Sequence, residues 1–255
     1  MSTPTATLTD QLRFTTIAHR EHVFCSPLSV AKVDQVLSML ELPRGARVLD
    51  VGCGKGEMLV RLYERCEARG VGVDLNADLV AEARARAQAR GAAASLMFHE
   101  KPVSELFVEP GSYDAVLCVG STRAYGRYRD ALCAVGWAVR RHGRVLVGES
   151  FWRRRPHPDY LAVLGLDAGD LSDHPSNVRS GEEVGLVPIC TAVSTEDEWE
   201  HYEALRARTV ERWAAEHPED PEAEAMWVRA RRWREAWEHW GRDTLGFGLY
   251  VFQKR

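Results

Sequence analysis

Val48-Leu49-Asp50-Val51-Gly52-Cys53-Gly54-Lys55-Gly56-Glu57 is an apolar run that closes on an acid and then passes three glycines at alternate positions before a helix-forming stretch. The five residues from Arg47 to Val51 read as a buried strand and the residues from Glu57 to Ala68 as a helix. Glycines between them let the turn take backbone angles closed to other residues and let a ligand lie directly against the main chain. A dinucleotide turn of the glycine-x-glycine-x-x-glycine type aims a helix N-terminus at a pyrophosphate. Here the third glycine comes one position early, and Glu57 stands where that frame needs glycine.

Outward from the turn, strands and helices alternate. The pattern predicts a strand from Gly70 to Asp74, a helix from Ala77 to Arg90, and strands from Ala94 to Phe98, Tyr113 to Val119 and Arg144 to Glu149, with a helix from Tyr128 to Arg140 before the last. Such alternation implies parallel pairing. Upstream, residues 8 to 24 read as a helix. Ser26-Pro27-Leu28-Ser29 reads as an N-cap with proline in the first turn, launching Val30 to Leu40 with its Val33, Val36, Leu37 and Leu40 stripe. Downstream, Phe151 to Pro175 mixes prolines, aromatics and charges as a cap would. A strand from Leu186 to Val193, charged helices from Glu196 to Glu216 and Pro221 to Gly241, and a strand from Phe247 to Phe252 complete the chain. The expected organisation is a helical lid over 1–45, a core over 46–150, a cap over 151–185, and the last two strands over 186–255 with a helical insertion at 196–240.

A net charge of −4 and a pI near 6.2 exert no global pull toward nucleic acid or an anionic membrane. The run Arg153-Arg154-Arg155 is read as a solvated loop. No run of eighteen apolar residues occurs, and the polar start, Met1 to Asp10, lacks the basic-then-apolar order of a signal peptide, so a cytoplasmic protein is expected. The six cysteines lack paired metal spacing and read as reduced thiols, with no metal site.

With its acid, its Gly-x-Gly-x-Gly turn, and Asp74 closing the second strand 24 positions after Asp50, the sequence resembles the class I S-adenosylmethionine-dependent methyltransferases over residues 46 to 150. The resemblance implies an α/β fold: a Rossmann-like, doubly wound, seven-stranded, mostly parallel sheet with an antiparallel last strand at one edge, plus helical cap insertions. It implies S-adenosylmethionine as cofactor and S-adenosylhomocysteine as product. The cofactor would meet Asp50 near its methionine ammonium, Gly52, Cys53, Gly54 and Gly56 at the turn, Asp74 on the ribose hydroxyls, and Val119 at the end of the fourth strand. Members usually carry an acid for the adenine amino group, but here Pro102 falls on that position. Either Glu100 substitutes or the backbone near Pro102 and Val103 holds the ring edge, with Val103 and Leu75 packing its faces.

The same fold points the methyl group over the ends of the first and fourth strands. Acceptor-lining residues are therefore expected among Phe24, Cys25, Ser121, Thr122, Phe151, Trp152, Trp199 and Tyr202. Glu149, Tyr125 and His22 are the candidates for catalysis. Glu149 is equally readable as a structural acid capping the next turn, and His22, like His19, His157 and His174, as a surface or loop histidine. Trp233, Trp237 and Trp240 recur at helical spacing and read as a packed face. A looser similarity, carried by Gly148-Glu149-Ser150-Phe151-Trp152 and by Gly185-Leu186-Val187-Pro188 through Glu196-Asp197-Glu198-Trp199-Glu200-His201-Tyr202, is to bacterial small-molecule methyltransferases. It implies a small aromatic metabolite or natural-product intermediate as acceptor, including carbon methylation of an indole-type acceptor. Nitrogen or oxygen methylation, a nicotinamide-dependent oxidoreductase and a non-catalytic nucleotide-binding module are the competing readings.

Overall fold

The computed structural model describes residues 7–255; the first six residues of the expected lid lie outside them. Seven strands form one sheet: β1 (Arg47–Val51), β2 (Arg69–Asp74), β3 (Leu96–Glu100), β4 (Tyr113–Val119), β5 (Val139–Trp152), β6 (Leu186–Val193) and β7 (Leu245–Lys254). Their order is β3-β2-β1-β4-β5-β7-β6, parallel from β3 through β5, with β7 antiparallel to both neighbours. The antiparallel last strand is present, but it is not at the edge. Residues 245–252 of β7 are all buried, as a strand flanked on both sides requires, whereas β6 is mostly half-exposed. Pro188 offers no backbone donor and lies at a register shift in β6, which suits the outer position.

Both faces are covered. One carries α2 (Val30–Ser38), α3 (Glu57–Cys66) and α4 (Ala77–Ala89), whose Val33, Leu37, Leu59, Leu62, Val80 and Ala83 join a core that includes Val48 and Leu117. The other carries α5 (Tyr128–Ala138) and α7 (His174–Glu183) against Leu49, Val116 and Val147. Within the cap, α6 (Pro158–Leu164) precedes α7. A hairpin of α8 (Glu196–Glu216) and α9 (Ala223–Ala236) stands over one end of the sheet. Against it pack Phe14, Ile17 and Ala18 of α1 (Leu8–Ala18), in a separate cluster with Val210, Trp213 and Met226. The N-terminal region therefore serves two bodies: α1 joins the hairpin, and α2 joins the sheet.

Several boundaries differ from the sequence reading. α1 stops at Ala18 rather than running to residue 24, because the chain turns so that the carbonyls of Arg20 and His22 accept from the buried Lys55 ammonium at 3.0 and 3.1 Å. The N-cap of α2 is Ser29, whose hydroxyl accepts from Lys32 N at 3.2 Å; Ser26 and Pro27 precede the helix. β3 lies two residues later than expected, and α9 gives way to a π-helical turn at Trp237–Gly241.

Candidate functional site

The turn after β1 is built on left-handed backbone, with φ of +68° at Gly52, +50° at Gly54 and +69° at Gly56. Its amides are anchored to the neighbouring strand. Gly52 N and Cys53 N donate to Val73 O at 2.8 and 3.0 Å, and Gly54 N donates to Asp74 Oδ2 at 2.8 Å. Asp74 Oδ1 also accepts from Asn76 N at 2.9 Å, so this carboxylate joins the turn to the start of α4. Gly56 must lack a side chain, since a Cβ there would stand 2.6 Å from the Phe98 ring. At Gly54 a Cβ would meet only Cys25 Sγ, at 3.7 Å.

Glu57, the residue that breaks the dinucleotide frame, is buried and pairs with Arg61, Arg86 and Arg90 at 2.7, 3.0 and 2.8 Å. It ties α3 to α4. A glycine there would leave three arginines without a common partner, so the position serves the fold rather than a pyrophosphate.

Three adjoining cavities open along the strand ends. The first, about 520 Å³, is lined by Val51, Asp74, Leu75, Pro102, Val103 and Ser121 among others. The second, about 50 Å³, lies on the glycine turn between Asp50, Cys53, Gly54 and Val119 on one side and Phe24 and Cys25 on the other. Gly52 borders both. The third, about 330 Å³, shares Cys25 and Ser26 with the second and extends past Thr122 and Glu149 to Tyr160, Trp199, Tyr202 and Trp233.

Burial sets the electrostatics. Asp50 is 3% exposed and makes no ion pair among the described residues. Desolvation, aided by the nearby Asp74 charge, raises its pKa to about 7. Burial also lifts the thiols of Cys53 and Cys25, the latter to about 12, so both remain protonated. Glu149 accepts from the Thr122 hydroxyl and, at 2.7 Å, from Ser150 N; burial raises its pKa while these bonds oppose the rise.

Of the sequence candidates, the structure brings Asp50, Gly52, Cys53, Gly54, Asp74, Leu75, Pro102, Val103, Val119, Phe24, Cys25, Ser121, Thr122, Glu149, Trp199 and Tyr202 onto the three cavities. Gly56 sits behind the turn as the N-cap of α3. Five candidates lie elsewhere. Glu100 is exposed at the end of β3 and lines none of the three. Tyr125 packs into the core on the α5 face, where burial raises its pKa to about 12. His22 is buried beside Tyr202, with Nε2 against the Tyr202 carbonyl at 3.0 Å and a pKa lowered to about 4 chiefly by desolvation. It borders a separate cavity of about 380 Å³ between the N-terminal segment and α8. Phe151 packs under Gly246 and beside His174. Trp152 donates its indole N–H to Ala168 O at 3.0 Å and pins the cap. Trp152→Ala is therefore expected to cost stability, about 3 kcal/mol, read as a lowered Tm with unchanged adenosylhomocysteine affinity.

The sequence reading missed Tyr160, Glu203, Arg206 and Trp233, all on the third cavity. Trp199, Glu203 and Arg206 fall at i, i+4 and i+7 of α8, one face of the helix, so the available signal was an acid and a base following a tryptophan at helical spacing. Trp237, by contrast, does pack: it stacks on Trp199 at 4.7 Å and donates to Glu200 at 3.2 Å. Among the described residues no cluster of three metal-ligating side chains occurs, and no helix is long and apolar enough to cross a membrane.

Comparison with known proteins supplies the frame for this geometry. A family model described as a methyltransferase domain matches residues 48–143. A methyltransferase from Geobacter sulfurreducens, crystallised with S-adenosyl-L-homocysteine, superposes with a TM-score of 0.89 at 26% identity, covering 95% of this chain and 98% of that one. The uncharacterized protein YjhP of Escherichia coli K12 is 25% identical over 245 residues, 95% of this chain and 98% of its own. A ubiquinone biosynthesis O-methyltransferase of Xanthomonas campestris pv. campestris is 38% identical over 93 residues, which span 36% of this chain and 37% of that protein. Strand order, the shortened glycine frame and full-length likeness to a methyltransferase crystallised with the spent cofactor converge on an S-adenosylmethionine-dependent methyltransferase of the class I fold, whose methyltransferase domain is matched over residues 48–143.

Proposed function

We propose that the protein methylates a small aromatic molecule held in the third cavity, with the cofactor spanning the first two. The observation that carries this reading is the wall of that cavity: Tyr160, Trp199, Tyr202, Trp233 and Phe247 surround it. Aromatic walls favour a flat, apolar guest through area burial and ring stacking.

The residues of the first two cavities fit S-adenosylmethionine. Asp50 is a buried carboxyl lacking a cation, matched to the methionine ammonium, and beside Gly54 a Cβ would make only ordinary van der Waals contact, with Cys25 Sγ at 3.7 Å. Asp74 would take the ribose hydroxyls, with Leu75, Pro102 and Val103 around the adenine and Glu100 uninvolved. Once bound, the cofactor supplies an electrophilic methyl on sulfur, a leaving group that needs no proton. The chain's contribution is position: the aromatic walls orient the acceptor, and the α8–α9 hairpin keeps water out. Glu149 retains lone-pair capacity beyond its two hydrogen bonds and is the base for an acceptor that loses a proton.

Asp74→Ala is expected to weaken adenosylhomocysteine binding by about 1–3 kcal/mol. Because Asp74 also holds Gly54 N and Asn76 N, the substitution should lower Tm as well. Calorimetry with thermal scans separates the two effects. The reading itself is tested by incubating the protein with S-adenosylmethionine and a panel of phenols, indoles, aromatic amines and aliphatic counterparts, and measuring adenosylhomocysteine. Turnover of aromatic members is expected. In Trp199→Ala, kcat/KM should fall about tenfold or more with near-normal adenosylhomocysteine affinity, as for a residue that places the acceptor. Turnover confined to aliphatic acceptors would refute the aromatic site.

A further inference from the structure

At the end of the third cavity away from Cys25 and Ser26, Arg206 is held in an unusual setting. Its guanidinium lies over the Trp233 ring at 4.4 Å and over the Phe14 ring at 5.5 Å, which leaves the edge as its polar outlet. Along that edge one contact is made, from Nη1 to Glu203 Oε2, at a long 3.5 Å. Nε is buried with no hydrogen-bond partner. Glu203, 4% exposed, also accepts from Trp233 Nε1 at 3.2 Å, so its attention is divided. Trp199, which lines the same cavity, likewise keeps its Nε1 buried without a partner.

A largely buried charge needs compensation, and an unmade hydrogen bond at a buried guanidinium nitrogen is costly. The unmet groups here are donors rather than acceptors. Arg206 cannot shed its charge, and its planar fork matches a carboxylate. On this basis we propose that the acceptor carries a carboxylate and that Arg206 seats it, a specificity role that rests on the third cavity being the acceptor site. Trp199 and Arg206 are two turns apart on α8, about 10 Å along the helix. That length suits an aromatic ring at the Trp199 end, toward the methyl donor, with a short chain ending in the carboxylate at Arg206. A cationic tail is disfavoured, because Glu203 already has two partners and Arg206 stands beside it.

The test is calorimetry on the full-length protein saturated with adenosylhomocysteine. The probes are indolepropionate and hydroxyphenylpropionate, their neutral amides, tryptamine and octanoate. The acids are expected to bind at least tenfold tighter than the amides, and tryptamine not to bind. In Arg206→Gln the acid-over-amide preference should vanish with adenosylhomocysteine affinity unchanged, and Arg206→Lys should keep part of it. Amides or tryptamine binding the wild type as tightly as the acids, no acid binding at all, or an undiminished preference in Arg206→Gln would each overturn the proposal. The wild-type comparison stands even if a variant does not fold. Binding of octanoate alone, dependent on Arg206, would uphold the carboxylate seat while refuting an aromatic acceptor.

Discussion

Asp50→Asn is expected to stabilise the ligand-free protein at pH 8 and, at the same time, to weaken its hold on adenosylhomocysteine. The Asp50 carboxyl titrates near 7 in the folded chain, against 3.8 for an ordinary aspartate, because burial and then the Asp74 charge disfavour ionisation. Between those values the folded state binds the extra proton. The stability linked to that proton is therefore fully present below about pH 4 and is lost as pH rises through 7. A shift of this size corresponds to about 4 kcal/mol at most. Thermal scans of the wild type should show Tm falling from pH 5 to pH 8 on this account, and asparagine should flatten that slope. Binding should move the other way, by tenfold or more, because the methionine ammonium loses a charged partner. An unchanged slope would mean that the carboxylate is well solvated, and unchanged affinity would remove it from the methionine end.

Gly54 and Gly56 are expected to fail in different ways when given a side chain. Both sit at positive φ, which costs a side chain about 1–2 kcal/mol. A Cβ at Gly56 would also come within 2.6 Å of the Phe98 ring and 2.9 Å of Ala83 Cβ, both buried, so Gly56→Ala should destabilise by about 3 kcal/mol or more in total. At Gly54 nothing in the protein stands closer than Cys25 Sγ at 3.7 Å. Gly54→Val should therefore fold, with a modest loss of Tm, and lose adenosylhomocysteine binding by about a hundredfold or more, because its branches occupy the cofactor's path. Circular dichroism and calorimetry on the two variants read the contrast. Normal binding by a folded Gly54→Val would place the cofactor elsewhere.

What could be read in the sequence was local. The strand, the acid, the three glycines and Asp74 follow one another within two crossover units, and each has a backbone requirement that residue type reveals. Glu57 was legible as an obstacle to a dinucleotide frame, although its three arginine partners were not. The place of β7 between β5 and β6 depends on pairing between segments far apart in the chain, with Pro188 as the one sequence clue. Trp152 and Trp199 looked alike, each following a strand end, yet one indole N–H is turned to Ala168 O by the cap while the other tryptophan faces the cavity. Tyr125 and Phe151 were similarly misjudged, because strand and loop residues near one sheet end are divided between its two faces. Trp233 was read only as helix packing. Its position over Arg206 follows from how α8 and α9 pair, which periodicity does not fix.

The glycine turn, Asp50 and Asp74 are proposed to form a site for one cofactor and not for its dinucleotide rivals. A calorimetric titration of the wild-type chain with adenosylhomocysteine, run beside the same titration with NAD, examines that directly. The predicted result is saturable one-to-one binding of adenosylhomocysteine and no heat of binding with NAD; saturable binding of NAD, or none of adenosylhomocysteine, would contradict it.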